Sequence, residues 1–112
     1  MKHEMKLKEE PFNKIKEQTK TIELRLLDEK RKLLKIKDEI EFRNIVTNEK
    51  LLTVIEDLYK YDSFEELYKH FDKVSLGYNE DEEASYKDME KYYSKEEQNM
   101  YGVVGIKIKV IK

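Results

Sequence analysis

The chain has 112 residues, of which 43% are charged and 38% hydrophobic, and its net charge is −2. This length fits one small domain with a modest core, so we interpret residues 1–112 as a single domain. The absence of cysteine excludes disulfides and thiolate zinc sites. No apolar run has the length of a signal peptide or a membrane span, so we expect a soluble, cytoplasmic protein with no membrane partner.

The charges are unevenly distributed along the chain. Residues 1–37 carry 12 Lys/Arg and 7 Asp/Glu, residues 38–99 carry 8 and 18, and residues 100–112 carry three Lys and no acidic residue. If the two cationic ends fold next to each other, they form a positive face that attracts phosphates. An ordinary mixed-charge surface is the alternative explanation of the same distribution.

The first half of the chain alternates strand and helix patterns. Apolar residues recur at every second position in residues 2–8, 21–27 and 38–45, which predicts three half-buried strands. Pro11 suits the first turn of a helix, and we predict that helix over residues 11–18. The charged segment that follows the second strand, up to residue 35, is ambiguous.

The pattern changes after residue 50. Residues 51–58 carry apolar side chains at both odd and even positions, which is typical of a central strand covered on both faces. Ser63 and Glu66 form a capping box, and the apolar face of the helix that they begin comprises Phe64, Leu67, Tyr68 and Phe71. Ser85 caps a second short helix that extends to about Tyr92.

The chain closes with a third helical turn and a strand. Ser94 and Glu97 offer another capping box, and residues 101–111 read as a strong strand. The predicted order is β-α-β-β-β-α-α-β. About five to six strands with two to three inserted helices indicate an α+β, barrel-like domain.

The densest group of chemically active side chains lies in residues 18–25 (QTKTIELR). Lys20 and Thr21 stand where the helix leads into the second strand, and Glu23 and Arg25 share one face of that strand with Thr21. A point charge, a hydroxyl, a carboxylate and a planar guanidinium in this arrangement can bind an anion or a polar heterocycle. An exposed strand face that carries an ordinary Glu–Arg pair is the alternative.

Other motifs are scarce. The sequence has no Gly-rich phosphate loop and no zinc-protease or EF-hand motif, so we expect no cofactor and no metal. His3 and His70 are isolated in sequence and are interpreted as structural or surface residues. The acidic run at residues 80–83 lacks the ligand spacing of a cation-binding loop and is interpreted as a solvated turn.

Four tyrosines cluster late in the chain, at positions 86, 92, 93 and 101. Helical spacing places Tyr86, Met89 and Tyr93 on one face, which favours packing in the core. Exposed tyrosines near cations also stack nucleobases. We expect about one of the four to be available to a ligand, and we select Tyr93.

Three segments in order resemble the ASCH domain family. Residues 20–25 (KTIELR) and 38–42 (DEIEF) are similar to its G-x-K-x-x-E-x-R and G-D-x-I-x-F elements, and residues 92–97 and 101–106 resemble the end of its bacterial members. The resemblance covers nearly the whole chain. It implies a PUA-like β-barrel with a cleft near residues 20–25 for RNA or a related ligand. The two glycines of the family pattern are replaced by Gln18 and Lys37, which implies a different turn or a less open approach for phosphate.

Some small members of the family hydrolyse the amide of N4-acetylcytidine with a lysine, a threonine and a distant glutamate. The lysine corresponds to Lys20, but Glu23 stands at the position of the threonine nucleophile, and Thr21 is only a neighbouring hydroxyl. The distant glutamate aligns poorly with Glu82 or Glu83.

We therefore expect an ASCH domain that binds RNA, a nucleotide or a nucleoside through Lys20, Glu23, Arg25 and Tyr93. The alternative is a small hydrolase of modified nucleosides or RNA, with Lys20, Thr21 and Glu23 as the catalytic residues. The sequence leaves the ligand and the oligomeric state open.

Overall fold

A computed structural model describes residues 1–111, and within them five β-strands and three α-helices form an α+β fold. The elements are β1 (Lys2–Leu7), α1 (Glu9–Lys16), β2 (Ile22–Leu26), β3 (Glu39–Asn44), β4 (Lys50–Tyr61), α2 (Phe64–Tyr68), α3 (Lys95–Tyr101) and β5 (Val103–Val110). Two 3₁₀ helices, Arg31–Leu33 and Tyr86–Lys91, complete this part of the chain. Among these residues, no helix has both the length and the apolar character needed to cross a membrane.

The strands form one sheet in the order β1-β3-β4-β5-β2. β1 runs parallel to β3, and the other neighbours are antiparallel. The sheet curls into a half-barrel that brings its two outer strands together, since Nη2 of Arg25 on β2 donates to the carbonyl of Lys6 on β1 at 3.0 Å. β4 is central, as predicted, and β5 lies between β4 and β2 rather than at an edge.

Two apolar clusters pack on the sheet, and β5 contributes residues to both. The first packs α1 against the sheet, and its largest members are Phe12, Ile15, Ile40, Phe42, Ile55 and Ile106. The second packs α2 against the opposite side, and it contains Ile22, Leu24, Leu26, Phe64, Leu67 and Val103. Because side chains alternate along a strand, Glu23 and Arg25 point away from the second cluster, toward the inside of the half-barrel.

The predicted elements are present, with shifted boundaries. α1 begins two residues earlier than expected, with Pro11 still in its first turn. α2 ends at Tyr68 because the chain turns there and sets the Phe71 ring against Tyr59, 5.0 Å between centroids. The predicted helix after Ser85 is a 3₁₀ helix, and the predicted strand 101–111 starts at Val103 because α3 extends through Tyr101.

Gln18 and Lys37, which stand where the similar sequence pattern has glycine, have left-handed backbone conformations. Gln18 has a φ of 67° and Lys37 a φ of 78°. Both values lie in the region that glycine adopts without steric cost and other residues adopt with strain. Gln18 and Lys37 therefore adopt a conformation that favours glycine, with strain in the backbone.

Candidate functional site

The gap between β1 and β2 opens into a cavity of about 510 Å³. One wall comes from β2 and the segment that leads into it, and it carries Lys20, Glu23 and Arg25. The facing wall comes from α2 and the segment that follows it, and it carries Tyr68, Tyr78, Tyr92 and Tyr93. We call this space the tyrosine cavity. Its volume is in the range of small-molecule binding sites.

Lys20, Glu23 and Arg25 form one connected array. The Lys20 amine lies 3.3 Å from Oε1 of Glu23, and Oε2 of Glu23 accepts from Nε of Arg25 at 2.8 Å. Nη2 of Arg25 lies 2.8 Å from the same oxygen and completes the ion pair. Lys20 is 6% exposed and Glu23 5% exposed. The exposed Glu–Arg pair that the sequence left as an alternative is therefore excluded, since these side chains are inside the protein.

Burial and mutual charge set the ionisation of this array. Burial lowers the pKa of Lys20, although the carboxylate of Glu23 opposes the effect. Burial alone would raise the pKa of Glu23, but Lys20 and Arg25 outweigh it and hold the pKa of that carboxyl below its usual value. Burial likewise opposes the charge of Arg25, and Glu23 and the nearby Tyr93 outweigh it and raise the pKa of the guanidinium. Glu23 is thus a fixed anion between two cations.

Lys20 is positioned by the chain around residue 76. Its amine donates to the carbonyl of Leu76 at 2.9 Å, and Gly77 follows with a φ of 109°. A Cβ added at Gly77 would lie 3.1 Å from Cδ and 3.3 Å from Nζ of Lys20. Glycine at this position provides both the backbone conformation and the space for the lysine side chain.

The tyrosine wall is itself a hydrogen-bonded network. The Tyr78 hydroxyl donates to Asp88 at 2.7 Å and lies 3.0 Å from the Tyr68 hydroxyl. Burial raises the pKa of Tyr78 and of Tyr68, so both stay protonated near neutral pH. Tyr93 stacks on Phe64, with ring centroids 5.8 Å apart and an interplanar angle of 26°. The aromatic surfaces are therefore held in place rather than loosely exposed.

The structure brings together four of the five residues that the sequence nominated. Lys20, Glu23, Arg25 and Tyr93 line the same cavity, whereas Thr21 lines a smaller neighbouring space of about 170 Å³, which Lys20 also borders. The Thr21 backbone also pairs with Ser75 and Ile108, because this residue lies in the approach to β2.

Of the two acidic residues considered as a distant glutamate, Glu82 lines the tyrosine cavity and Glu83 does not. Glu82 is 3.8 Å from the amine of Lys14 and accepts from the backbone of Asn79. The predicted solvated acidic turn thus contributes one carboxylate to the rim of the cavity.

Sequence reasoning missed Tyr68, Tyr78 and Asp88. Tyr68 was assigned to the apolar face of its helix, and it does pack beside the second cluster, but its hydroxyl reaches the cavity. Tyr78 stands in a loop without periodicity, and Asp88 lies in a short charged helix. The available signal was the recurrence of tyrosine in a segment otherwise rich in acidic residues.

The curled sheet and buried array define a PUA-like domain, and the sequence comparison identifies its family. The ASCH domain family profile matches residues 5–112, so the chain belongs to the ASCH domain family, whose PUA-like fold is often linked to RNA binding. No curated protein matches the chain.

Solved structures agree with this assignment. The crystal structure of hypothetical protein PH0355 superposes with a TM-score of 0.80 at 33% identity, covering 99% of this chain and 100% of that one. The solution NMR structure of protein PF0455 from Pyrococcus furiosus gives 0.72 at 33% identity, covering 100% and 99%. The ASCH crystal structure from Zymomonas mobilis gives 0.69 at 12% identity, covering 99% and 71%, and shares the fold.

Proposed function

We propose that the tyrosine cavity binds a nucleobase or nucleoside, and that this ASCH domain recognises RNA or a related ligand through it. The observation that carries the proposal is the fixed array of Lys20, Glu23 and Arg25, which faces a wall of tyrosine rings across about 510 Å³. Base recognition outside a duplex combines an aromatic surface for stacking with hydrogen bonds to the edge of the base.

The charge of the cavity suits an uncharged heterocycle. Its lining contains four cations and four carboxylates, so the charges are balanced. The cations are Lys6, Lys8, Lys20 and Arg25, and the carboxylates are Glu10, Glu23, Glu82 and Asp88. A balanced, partly apolar site has little net attraction for a phosphate but provides donors and acceptors for a base.

Arg25 is the strongest candidate for direct contact with the ligand. Its Nε donates to Glu23 and its Nη2 donates to the carbonyl of Lys6, while Tyr93 lies close enough to raise the pKa of the guanidinium. A guanidinium held by two partners is pre-oriented to donate to a base carbonyl. Because Lys20 and Arg25 already occupy the Glu23 carboxylate, we assign Glu23 mainly to positioning, with its remaining lone pair available to a base N–H.

Tyr93 is the candidate stacking residue. It lines the cavity, lies next to Arg25 and is supported from behind by Phe64. Tyr92 is 56% exposed and contacts the Lys8 amine through its hydroxyl at 3.2 Å, which places it at the mouth.

The test is direct binding of nucleosides. Adenosine, guanosine, cytidine, uridine and N4-acetylcytidine are titrated separately into the ¹⁵N-labelled protein, and amide shifts are followed by NMR. We expect at least one to shift residues of both walls. Tyr93→Leu, which keeps bulk against Phe64, should weaken that binding about tenfold or more, since stacking contributes about 1–3 kcal/mol per base.

Two further variants complete the design. Arg25→Lys retains the charge but removes the fork, and it should weaken binding similarly. Lys87→Gln removes an exposed charge from the 3₁₀ helix outside the cavity lining, and it should bind like the wild type. If no nucleoside shifts the walls, or if Arg25→Lys and Tyr93→Leu bind as tightly as Lys87→Gln, the proposal is wrong.

Hydrolysis of a modified nucleoside remains the second candidate, and the buried amine of Lys20 favours it. A lysine whose pKa is lowered by burial is better suited to accept a proton. Against it, Thr21 lies outside the cavity, so a water molecule would have to be the nucleophile. Incubation with N4-acetylcytidine and mass spectrometry of the products decides: cytidine released by wild type but not by Lys20→Met makes the protein an enzyme.

A further inference from the structure

A second cavity of about 480 Å³ adjoins the tyrosine cavity on the outer side of β1 and β3. We call it the cationic cavity, and its basic residues are Lys6, Arg25, Lys30, Arg31, Arg43 and Lys50. Glu4 and Glu41 are the acidic residues of its lining. Six cations and two carboxylates line it, and two of the cations pair with carboxylates outside the lining, Arg25 with Glu23 and Arg31 with Asp28. A surplus of two positive charges remains, in contrast to the balanced tyrosine cavity.

The carboxylates of this cavity do not neutralise it. Glu41 already pairs with Lys2 at 2.8 Å, outside the lining, and with Lys50 at 3.7 Å. Arg43 donates to the neutral amide oxygen of Asn48 at 2.8 Å, so its charge is uncompensated by that contact. A concavity bordered by more cations than carboxylates attracts anions.

Arg31 adds an unused donor. Its Nη1 is held by Asp28 at 3.0 Å, which orients the guanidinium. Its Nε is buried and has no hydrogen-bond partner within residues 1–111. A buried donor without an acceptor is unfavourable, and within residues 1–111 this nitrogen is the one buried side-chain atom of that kind.

The two cavities share Lys6 and Arg25. Arg25 is therefore placed between a neutral space with aromatic walls and a positive space without them. This division matches the division of a nucleotide into an uncharged base and a charged phosphate.

We propose that the cationic cavity holds the phosphodiester backbone of single-stranded RNA beside the nucleotide whose base enters the tyrosine cavity. This inference rests on the proposed function and extends it from a nucleoside to a strand. The cationic cavity supplies affinity and salt dependence, while the tyrosine cavity supplies base recognition. A repeating anion suits a surface with several separated cations better than a single carboxylate does.

The experiment compares a strand with a nucleoside on the same variants. The probes are 5′-fluorescein-labelled RNA octamers of A, C, G or U, measured by fluorescence anisotropy between 50 and 300 mM KCl, and the nucleosides are measured by NMR. The variant is Lys30→Gln/Arg43→Gln. The matched control is Lys60→Gln/Lys95→Gln, which removes two exposed charges outside the lining of either cavity.

We expect the Lys30→Gln/Arg43→Gln variant to bind RNA about tenfold more weakly or worse at low salt. Its plot of log affinity against log salt should be less steep by about 1.4, since each phosphate contacted on a single strand contributes about 0.7 to the slope. Nucleoside binding should not change, and the control should bind RNA as the wild type does.

The outcomes separate this inference from the proposed function. Nucleoside binding with no tighter binding of the octamers, or an equal loss in the control, overturns the phosphate site and leaves the proposed function intact. Octamer binding that depends on Lys30 and Arg43 without any nucleoside binding overturns the proposed function alone. Competition by an octaglutamate peptide as effective as unlabelled RNA assigns the cationic cavity to acidic proteins instead and overturns the inference.

Discussion

Substitution Glu23→Gln tests the central claim that a buried carboxylate holds two cations together. It leaves the Lys20 amine and the Arg25 guanidinium facing each other without an anion, at 6% exposure for Lys20. Removing one partner of a buried ion pair costs about 3–5 kcal/mol, because the remaining charge stays in a low-dielectric interior. We expect a loss of that size in the free energy of unfolding, measured by urea denaturation at pH 7.

The companion variants make the magnitude interpretable. Lys20→Met leaves the Glu23–Arg25 pair intact, so it should lower the free energy of unfolding far less than Glu23→Gln does. Combining Lys20→Met with Glu23→Gln removes the uncompensated amine, so the double variant should be more stable than Glu23→Gln alone. The control is Glu49→Gln, because Glu49 pairs with Lys16 on the surface and such pairs contribute at most about 1 kcal/mol.

The pH dependence of the free energy of unfolding is a second test of the array of Lys20, Glu23 and Arg25. Burial already lowers the pKa of Lys20 below 10.5, so the unfolded chain holds the proton more strongly than the folded chain does. Stability therefore rises as pH approaches 10.5, and it should rise more in Glu23→Gln, where no carboxylate opposes the shift. A Glu23→Gln protein that loses no more stability than Glu49→Gln, at any pH between 7 and 10, refutes the reasoning.

Three further predictions concern the backbone and the acid range. Gln18→Gly and Lys37→Gly should each raise the free energy of unfolding by about 0.5–1 kcal/mol, because the relief of left-handed strain exceeds the entropic cost of glycine. Urea midpoints that are unchanged or lower would contradict this. Gly77→Ala should lower the free energy of unfolding by about 1–3 kcal/mol and weaken nucleoside binding, because the new methyl group displaces Lys20. NMR of the Lys20 side chain measures that displacement. Since unfolding returns the pKa of Glu23 to about 4.5, stability should fall as the pH drops below that value, and less steeply in Lys20→Met/Glu23→Gln, which urea midpoints at pH 3–6 measure.

Alternation along the strands was enough to predict most of the fold. The pattern of residues 21–27 correctly separated Ile22, Leu24 and Leu26 from Glu23 and Arg25, because a period of two is a direct consequence of strand geometry. The central position of β4 followed from its apolar character on both faces. The shared motifs then identified the family.

The burial of the array was not predictable from the same pattern. Polar residues at alternate positions of a strand usually face solvent, so Glu23 and Arg25 looked like an exposed pair. The groups that enclose the array include the Leu76 carbonyl, which holds Lys20, and Tyr93, which lies beside Arg25, both more than 50 residues further along the chain. Local periodicity carries no information about such a contact.

The same limit explains the fate of Thr21. Alternation groups Thr21 with Glu23, but Thr21 precedes the first paired residue of β2 and its backbone bonds to Ser75. The regular alternation of the strand therefore does not extend to it.

The hydrogen bond from Arg25 to the Lys6 carbonyl has a mechanical consequence. Neighbouring strands of the sheet are joined by ladders of backbone hydrogen bonds, whereas within residues 1–111 this one side-chain bond joins β1 to β2. The junction between β1 and β2 is therefore the most weakly hydrogen-bonded strand contact of the half-barrel, and it borders the tyrosine cavity. A ligand that contacts both strands adds a second connection between β1 and β2 and restrains their separation. Its binding should therefore slow amide hydrogen exchange in β1 well beyond the residues that it touches.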